Sequence, residues 1–103
     1  MNIDIAGRHF DLTEGLREHV FHKMGKIEKY ALRIVSARVI CEVQKIHHIC
    51  EITIQGSHFK MAAKEKTGDM YLSFDKALER IGHQLAKLHE KNAEHRASDP
   101  ESV

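Results

Sequence analysis

The sequence has 103 residues, 42% of them hydrophobic and 30% charged, with 16 Lys and Arg against 15 Asp and Glu and a formal net charge of +1. That length and composition fit one globular domain with a single core, and they exclude a disordered or multidomain chain. No apolar run approaches the roughly 18 residues of a membrane span, and no basic N-terminal region precedes an apolar stretch, so no membrane partner is expected and the cytosol is the expected compartment.

In chain order, Asn2–Gly7 alternates, with Ile3 and Ile5 on one face, which predicts a short strand stopped by Gly7. Thr13 is placed to cap a helix, with Glu14 favourable in its first turn. Leu16, Val20, Met24, Ile27 and Ala31 then recur at helical spacing and predict an amphipathic helix over 14–31. Gly15 and Gly25 each weaken it by up to ~1 kcal/mol relative to Ala.

At 34–45 the period changes to two: Val35, Ala37, Val39, Cys41 and Val43 alternate with Arg38, Glu42 and Gln44. Lys45–His48 reads as a polar, solvated turn. A second run at 48–55 sets Cys50, Ile52 and Ile54 against Glu51, Thr53 and Gln55. Gly56-Ser57 turns the chain, and a strand at 58–64 puts Phe59, Met61 and Ala63 on one side. Thr67-Gly68-Asp69 starts the last helix, with Asp69 as its cap. Phe74, Ala77, Leu78, Ile81, Leu85 and Leu88 form its apolar stripe, to about Lys91. Residues 92–103 lack such a stripe, contain Pro100, and are expected as a disordered tail after a 1–91 domain.

The predicted order is β-α-β-β-β-α. The first β-α-β implies parallel strands and the following strands an antiparallel meander. The expected fold is therefore α+β: a two-layer sandwich, a four-stranded mixed sheet with both helices on one face.

Few residue types point to chemistry. There is no phosphate loop, no nucleophile elbow and no HExxH. No carboxylate pair sits in an apolar setting, so no catalytic residue is assigned and an enzyme is not expected. Cys41 and Cys50 fall on the apolar side of their strands, as free thiols in a reducing compartment. A zinc site would need two further ligands, and His19 and His22, three apart on a helix, have no Cys or catalytic Glu motif beside them. No metal and no cofactor are expected.

The charges are arranged more tellingly than their sum. A net charge of +1 does not announce a nucleic-acid binder. At 100° per residue, however, Lys76, Arg80, His83, Lys87 and Lys91 share a narrow arc of the last helix, opposite the apolar stripe. Asp75 and Glu79 flank that arc, and Glu90 sits at its margin. His22, Lys26, Lys29 and Arg33 form a looser stripe on the first helix, with Lys23 beside them. If both helices cover one sheet face, the stripes share an outer surface, which suits phosphate contacts. Exposed helices also carry lysines for solubility alone. Tyr71, in the first turn of the last helix, is a candidate for base stacking or an ordinary boundary aromatic.

Three segments resemble the short-form ribosome hibernation promoting factors of the ribosome-associated translation inhibitor family. They are Ile3-Asp4-Ile5-Ala6-Gly7-Arg8-His9-Phe10-Asp11-Leu12-Thr13, leading to Lys23-Met24-Gly25-Lys26-Ile27-Glu28-Lys29-Tyr30; Val39-Ile40-Cys41-Glu42-Val43; and Asp69-Met70-Tyr71-Leu72-Ser73-Phe74-Asp75, continuing to Arg80-Ile81-Gly82-His83-Gln84-Leu85. The resemblance covers about residues 1–91. It implies a fold like a double-stranded RNA-binding domain, seated in the mRNA and tRNA channel of the small ribosomal subunit, where it blocks translation in stress and stationary phase. It implies ribosomal RNA contacts at Lys23, Lys26, Lys29, Arg80, Gln84, Lys87 and Lys91. His83 stands where relatives often carry Arg, so its charge depends on pH. The dimer-forming second domain of long members is missing, so a monomer is expected off the ribosome. Short members either support ribosome dimers beside a separate dimerising factor or oppose them, and both readings stay open. The rival reading is a protein-interaction regulator, such as a transcription-factor modulator, that uses apolar or edge-strand surface instead of the basic stripes.

Overall fold

The structure, a computed structural model, describes residues 1–30 and 33–102, with side chains as far as Lys91. Its elements are β1 (Asn2–Arg8), α1 (Glu14–Gly25), a 3-10 helix (Lys26–Tyr30), β2 (Ile34–Gln44), β3 (His47–Gly56), β4 (Lys60–Thr67) and α2 (Met70–Ser102). The sheet order is β1-β2-β3-β4. β1 runs parallel to β2, and the other neighbours are antiparallel. This is the expected mixed sheet in a two-layer α+β sandwich.

One face of the sheet is apolar because the register lines up the right residues. Val39 faces Ile52, which faces Ala63; Ala37 faces Ile54, which faces Met61; Cys41 faces Cys50. Leu16, Val20 and Met24 of α1 and Met70, Phe74, Ala77, Ile81 and Leu85 of α2 join these residues in one buried cluster, with Met61 partly buried against it. Burying a side chain such as Phe74 or Leu85 contributes about 1.5–3 kcal/mol each. That outweighs the penalty at Gly15 and Gly25. Ala31, expected on the same stripe, lies outside the described residues.

Helix boundaries follow the capping chemistry. The Thr13 hydroxyl accepts from Leu16 N at 3.2 Å, and the Asp69 carboxylate accepts from Leu72 N at 3.0 Å. Each satisfies a first-turn donor. Ser73 is buried in the first turn of α2, where its hydroxyl donates to the His48 carbonyl and meets Thr67 Oγ1, both at 2.6 Å.

Several boundaries depart from expectation. The first helix is α-helical only to Gly25 and then tightens into the 3-10 helix. Glycine is a poor helix former, and a tightened last turn satisfies end carbonyls. The turn after β2 is only Lys45-Ile46, with Lys45 at φ 58°. His48 therefore lies in β3, not in a solvated turn, and its ring packs edge-on against Phe10 at 6.2 Å. β4 starts later, at Lys60, because Gly56 and Phe59 close the preceding turn: Gly56 N donates to Phe59 O at 2.7 Å. A Cβ at Gly56 would run into the Phe59 ring, so any other residue there requires that ring to move. α2 spans Met70–Ser102, past the expected end near Lys91. The expected disordered tail at 92–103 falls on residues whose side chains are outside the description. No helix among the described residues is long and apolar enough to cross a membrane.

Candidate nucleic-acid interface

The two predicted stripes lie on the helix layer, but their cations do not form one continuous face. Their local backbones explain why. In a 3-10 helix, side chains three apart eclipse one another. Lys26 and Lys29 therefore align, and Lys23 continues their row from the end of α1. These three lysines and His83 of α2 surround a cleft of about 400 Å³. Its apolar side is formed by Ile27, Tyr30 and Leu78, and Gly82 also lines it. The Lys29 ammonium lies 5.3 Å from the Tyr30 ring centroid, within cation–π range.

Asp75 and Glu79 also line this cleft. Asp75 is engaged by His19, whose Nε2 lies 2.7 Å from Asp75 Oδ1 and ties α1 to α2. The same imidazole meets the rings of Tyr71 at 5.1 Å and Phe74 at 5.6 Å. Tyr71, the stacking candidate, thus packs one edge contact against α1 while remaining 39% exposed.

Lys87 and Lys91 belong to a second depression, on the β4 side of α2. It is lined by Phe59, Met61, Leu88 and Gln84, with Lys60 as a third cation. Sequence reasoning missed Lys60. The signal was present in the alternation of β4, where Lys60, Lys64 and Lys66 interleave with Met61, Ala63 and Glu65.

Arg80 and Gln84 differ from the other candidates. Arg80 donates to the Glu65 carboxylate at 2.8 Å and to the Lys64 carbonyl at 3.3 Å. Gln84 donates to the Ala62 carbonyl at 3.3 Å. Both side chains therefore satisfy backbone acceptors of β4, an edge strand of the sheet. Of the predicted contact residues, Lys23, Lys26, Lys29 and His83 gather at one cleft, Lys87 and Lys91 at another, and Arg80 and Gln84 at the strand edge. The chemistry available is cationic and hydrogen-bonding, with apolar floors, which suits phosphates and the faces of bases.

Residues 3–93 match the family described as Sigma 54 modulation protein / S30EA ribosomal protein. The ribosome hibernation promoting factor of Salmonella typhimurium is 32% identical over 95 residues, covering 92% of this chain and 100% of that protein. That of Azotobacter vinelandii is 33% identical over 94 residues, covering 91% of this chain and 88% of that protein. Among solved structures, a ribosomal subunit interface protein from Coxiella burnetii superposes with a TM-score of 0.80 at 24% identity, over 85% of this chain and 97% of that one. The N-terminal domain of Thermus thermophilus Protein Y gives 0.79 at 23% identity, over 85% and 99%. At those identities the two structures carry the fold.

Proposed function

The chain belongs to the Sigma 54 modulation protein / S30EA ribosomal protein family, and from that membership we propose that it is a ribosome hibernation factor that acts in the cytoplasm by binding the small ribosomal subunit. It works by occupancy, not turnover: the helix layer lies against ribosomal RNA in the mRNA and tRNA channel, and translation stops because the channel is filled. The observation that carries the reading is the gathering of Lys23, Lys26, Lys29 and His83 around one cleft in a chain whose net charge is only +1. A local cationic surface of this kind attracts phosphate without an overall basic protein. Lys60, Lys87 and Lys91 extend the contact on the far side of α2. Association with a separate dimerising factor belongs to the same proposal.

Sedimentation with small subunits and intact ribosomes tests it. Wild-type protein is expected to co-migrate at low salt. Lys26→Glu with Lys87→Glu, one reversal at each depression, should remain at the top of the gradient with an unchanged thermal midpoint. Equal co-migration of that variant would refute the assignment of these cations. Wild-type protein that ignores ribosomes, yet binds a protein partner insensitively to salt, would favour the protein-interaction reading.

A further inference from the structure

We propose that the cleft between the 3-10 helix and α2 holds one unstacked nucleotide, its base over the apolar floor and its phosphate on the lysine rim; this rests on the RNA-binding reading above and names what that surface recognises. The cleft's volume, about 400 Å³, lies in the range of small-ligand sites and is far too small for a duplex. Three lysines spaced by three residues stand on one wall. A plain phosphate contact needs lysines but no apolar floor, and an apolar ligand needs the floor but no lysines. An unpaired nucleotide uses both, because every base has an apolar face and a charged backbone attached to it.

Gly82 is the residue that singles out the floor. It sits inside α2, where glycine is unfavourable, and its φ is not in the left-handed region. A Cβ there would approach only the Tyr30 hydroxyl, at 3.5 Å, an ordinary van der Waals contact. The protein's own packing therefore accepts a Cβ at this position. What glycine leaves is open space against Tyr30 and Leu78. The cleft's acids fit the same occupant. Asp75 is held by His19, which leaves Glu79 as the acceptor available to an exocyclic amine of a base.

Gly82→Leu fills the floor without changing charge, and Gly82→Ala adds a single methyl. Binding to small subunits is measured for wild type, both variants and the Lys26→Glu, Lys87→Glu protein, alongside thermal midpoints. Gly82→Gln, whose chain is unbranched at Cγ and more flexible than that of Leu, replaces Leu if the Leu midpoint falls. Gly82→Leu is expected to weaken binding at least tenfold with an undiminished midpoint and the wild-type salt slope, and Gly82→Ala to stay within about twofold. Gly82→Leu binding like wild type overturns the nucleotide proposal and leaves the RNA-binding reading standing. Wild type failing to bind subunits overturns that reading instead. In that event the cleft is decided by NMR titration with AMP, GMP and inorganic phosphate. Saturable shifts at the Gly82 amide with AMP or GMP, absent in Gly82→Leu, keep the occupant and make its source a free nucleotide. Shifts with phosphate alone, or none, overturn it.

Discussion

At the scale of single residues, Cys41 and Cys50 show how strongly the core controls chemistry. They are free, fully buried and directly opposite across β2 and β3. The hydrogen bond with Cys41, and then burial, push the Cys50 thiol well above its ordinary value. The folded protein therefore holds this proton more tightly than the unfolded chain, whose thiol ionises near about 8.5. Cys50 contributes its full stability below that pH and less as pH rises above it, at no more than about 1.4 kcal/mol per pH unit. Urea unfolding should lose stability between roughly pH 8 and pH 10 from this group, and Cys50→Ala should remove that part of the slope. An identical slope in the variant would assign the loss to other groups. The thiols were legible in the sequence as core residues, because alternation alone puts them on the apolar face. His48 was not legible, because its exposure depends on a two-residue turn that sets which face each strand residue takes.

At the scale of elements, the capped helix starts and the strand order were readable, since Thr13, Asp69 and the switch from period 3.6 to period 2 are local signals. The division of the α2 stripe was not. A helical wheel gives the angle of a side chain but not the neighbour on either side, and here the neighbours are the 3-10 helix on one side and β4 on the other. Arg80 and Gln84 consequently clamp α2 to an edge strand whose Ala62 and Lys64 carbonyls would otherwise lack protein partners on that side. Exposed edges invite pairing with a second chain. The Arg80–Glu65 pair is about half exposed on the arginine side, so its charge contributes little. Arg80→Ala with Gln84→Ala should cost about 1–2 kcal/mol, mostly from lost hydrogen bonds. It should also raise self-association, read by light scattering over a concentration series. Lys87→Ala, with no such bond among the described residues, should leave both measurements unchanged. Equal behaviour of the two proteins would make the clamp incidental.

At the scale of the whole molecule, a net charge of +1 predicts weak long-range attraction to RNA, while the lysines at two depressions predict strong contact once docked. The two predictions separate in the salt dependence. Net charge governs steering, which salt screens over about 10 Å at 0.1 M. Counterion release instead depends on how many phosphates are neutralised, at about −0.9 per contact on a duplex. Five of the predicted contacts are lysines: Lys23, Lys26, Lys29, Lys87 and Lys91. If each of these and Lys60 meets a phosphate, the log–log slope should be about −5.4, a loss of about 1,800-fold between roughly 50 and 200 mM salt. Lys26→Glu should reduce the slope by at least about one contact, and Lys60→Ala by about one more than the sequence stripes alone foresee. A slope near −1 with intact affinity would mean that the acids Asp75, Glu79 and Glu65 neutralise the lysines within the protein itself. The Arg80–Glu65 pair argues against that outcome, because it already occupies one of those three carboxylates, and the 2.7 Å contact with His19 holds Asp75 toward α1.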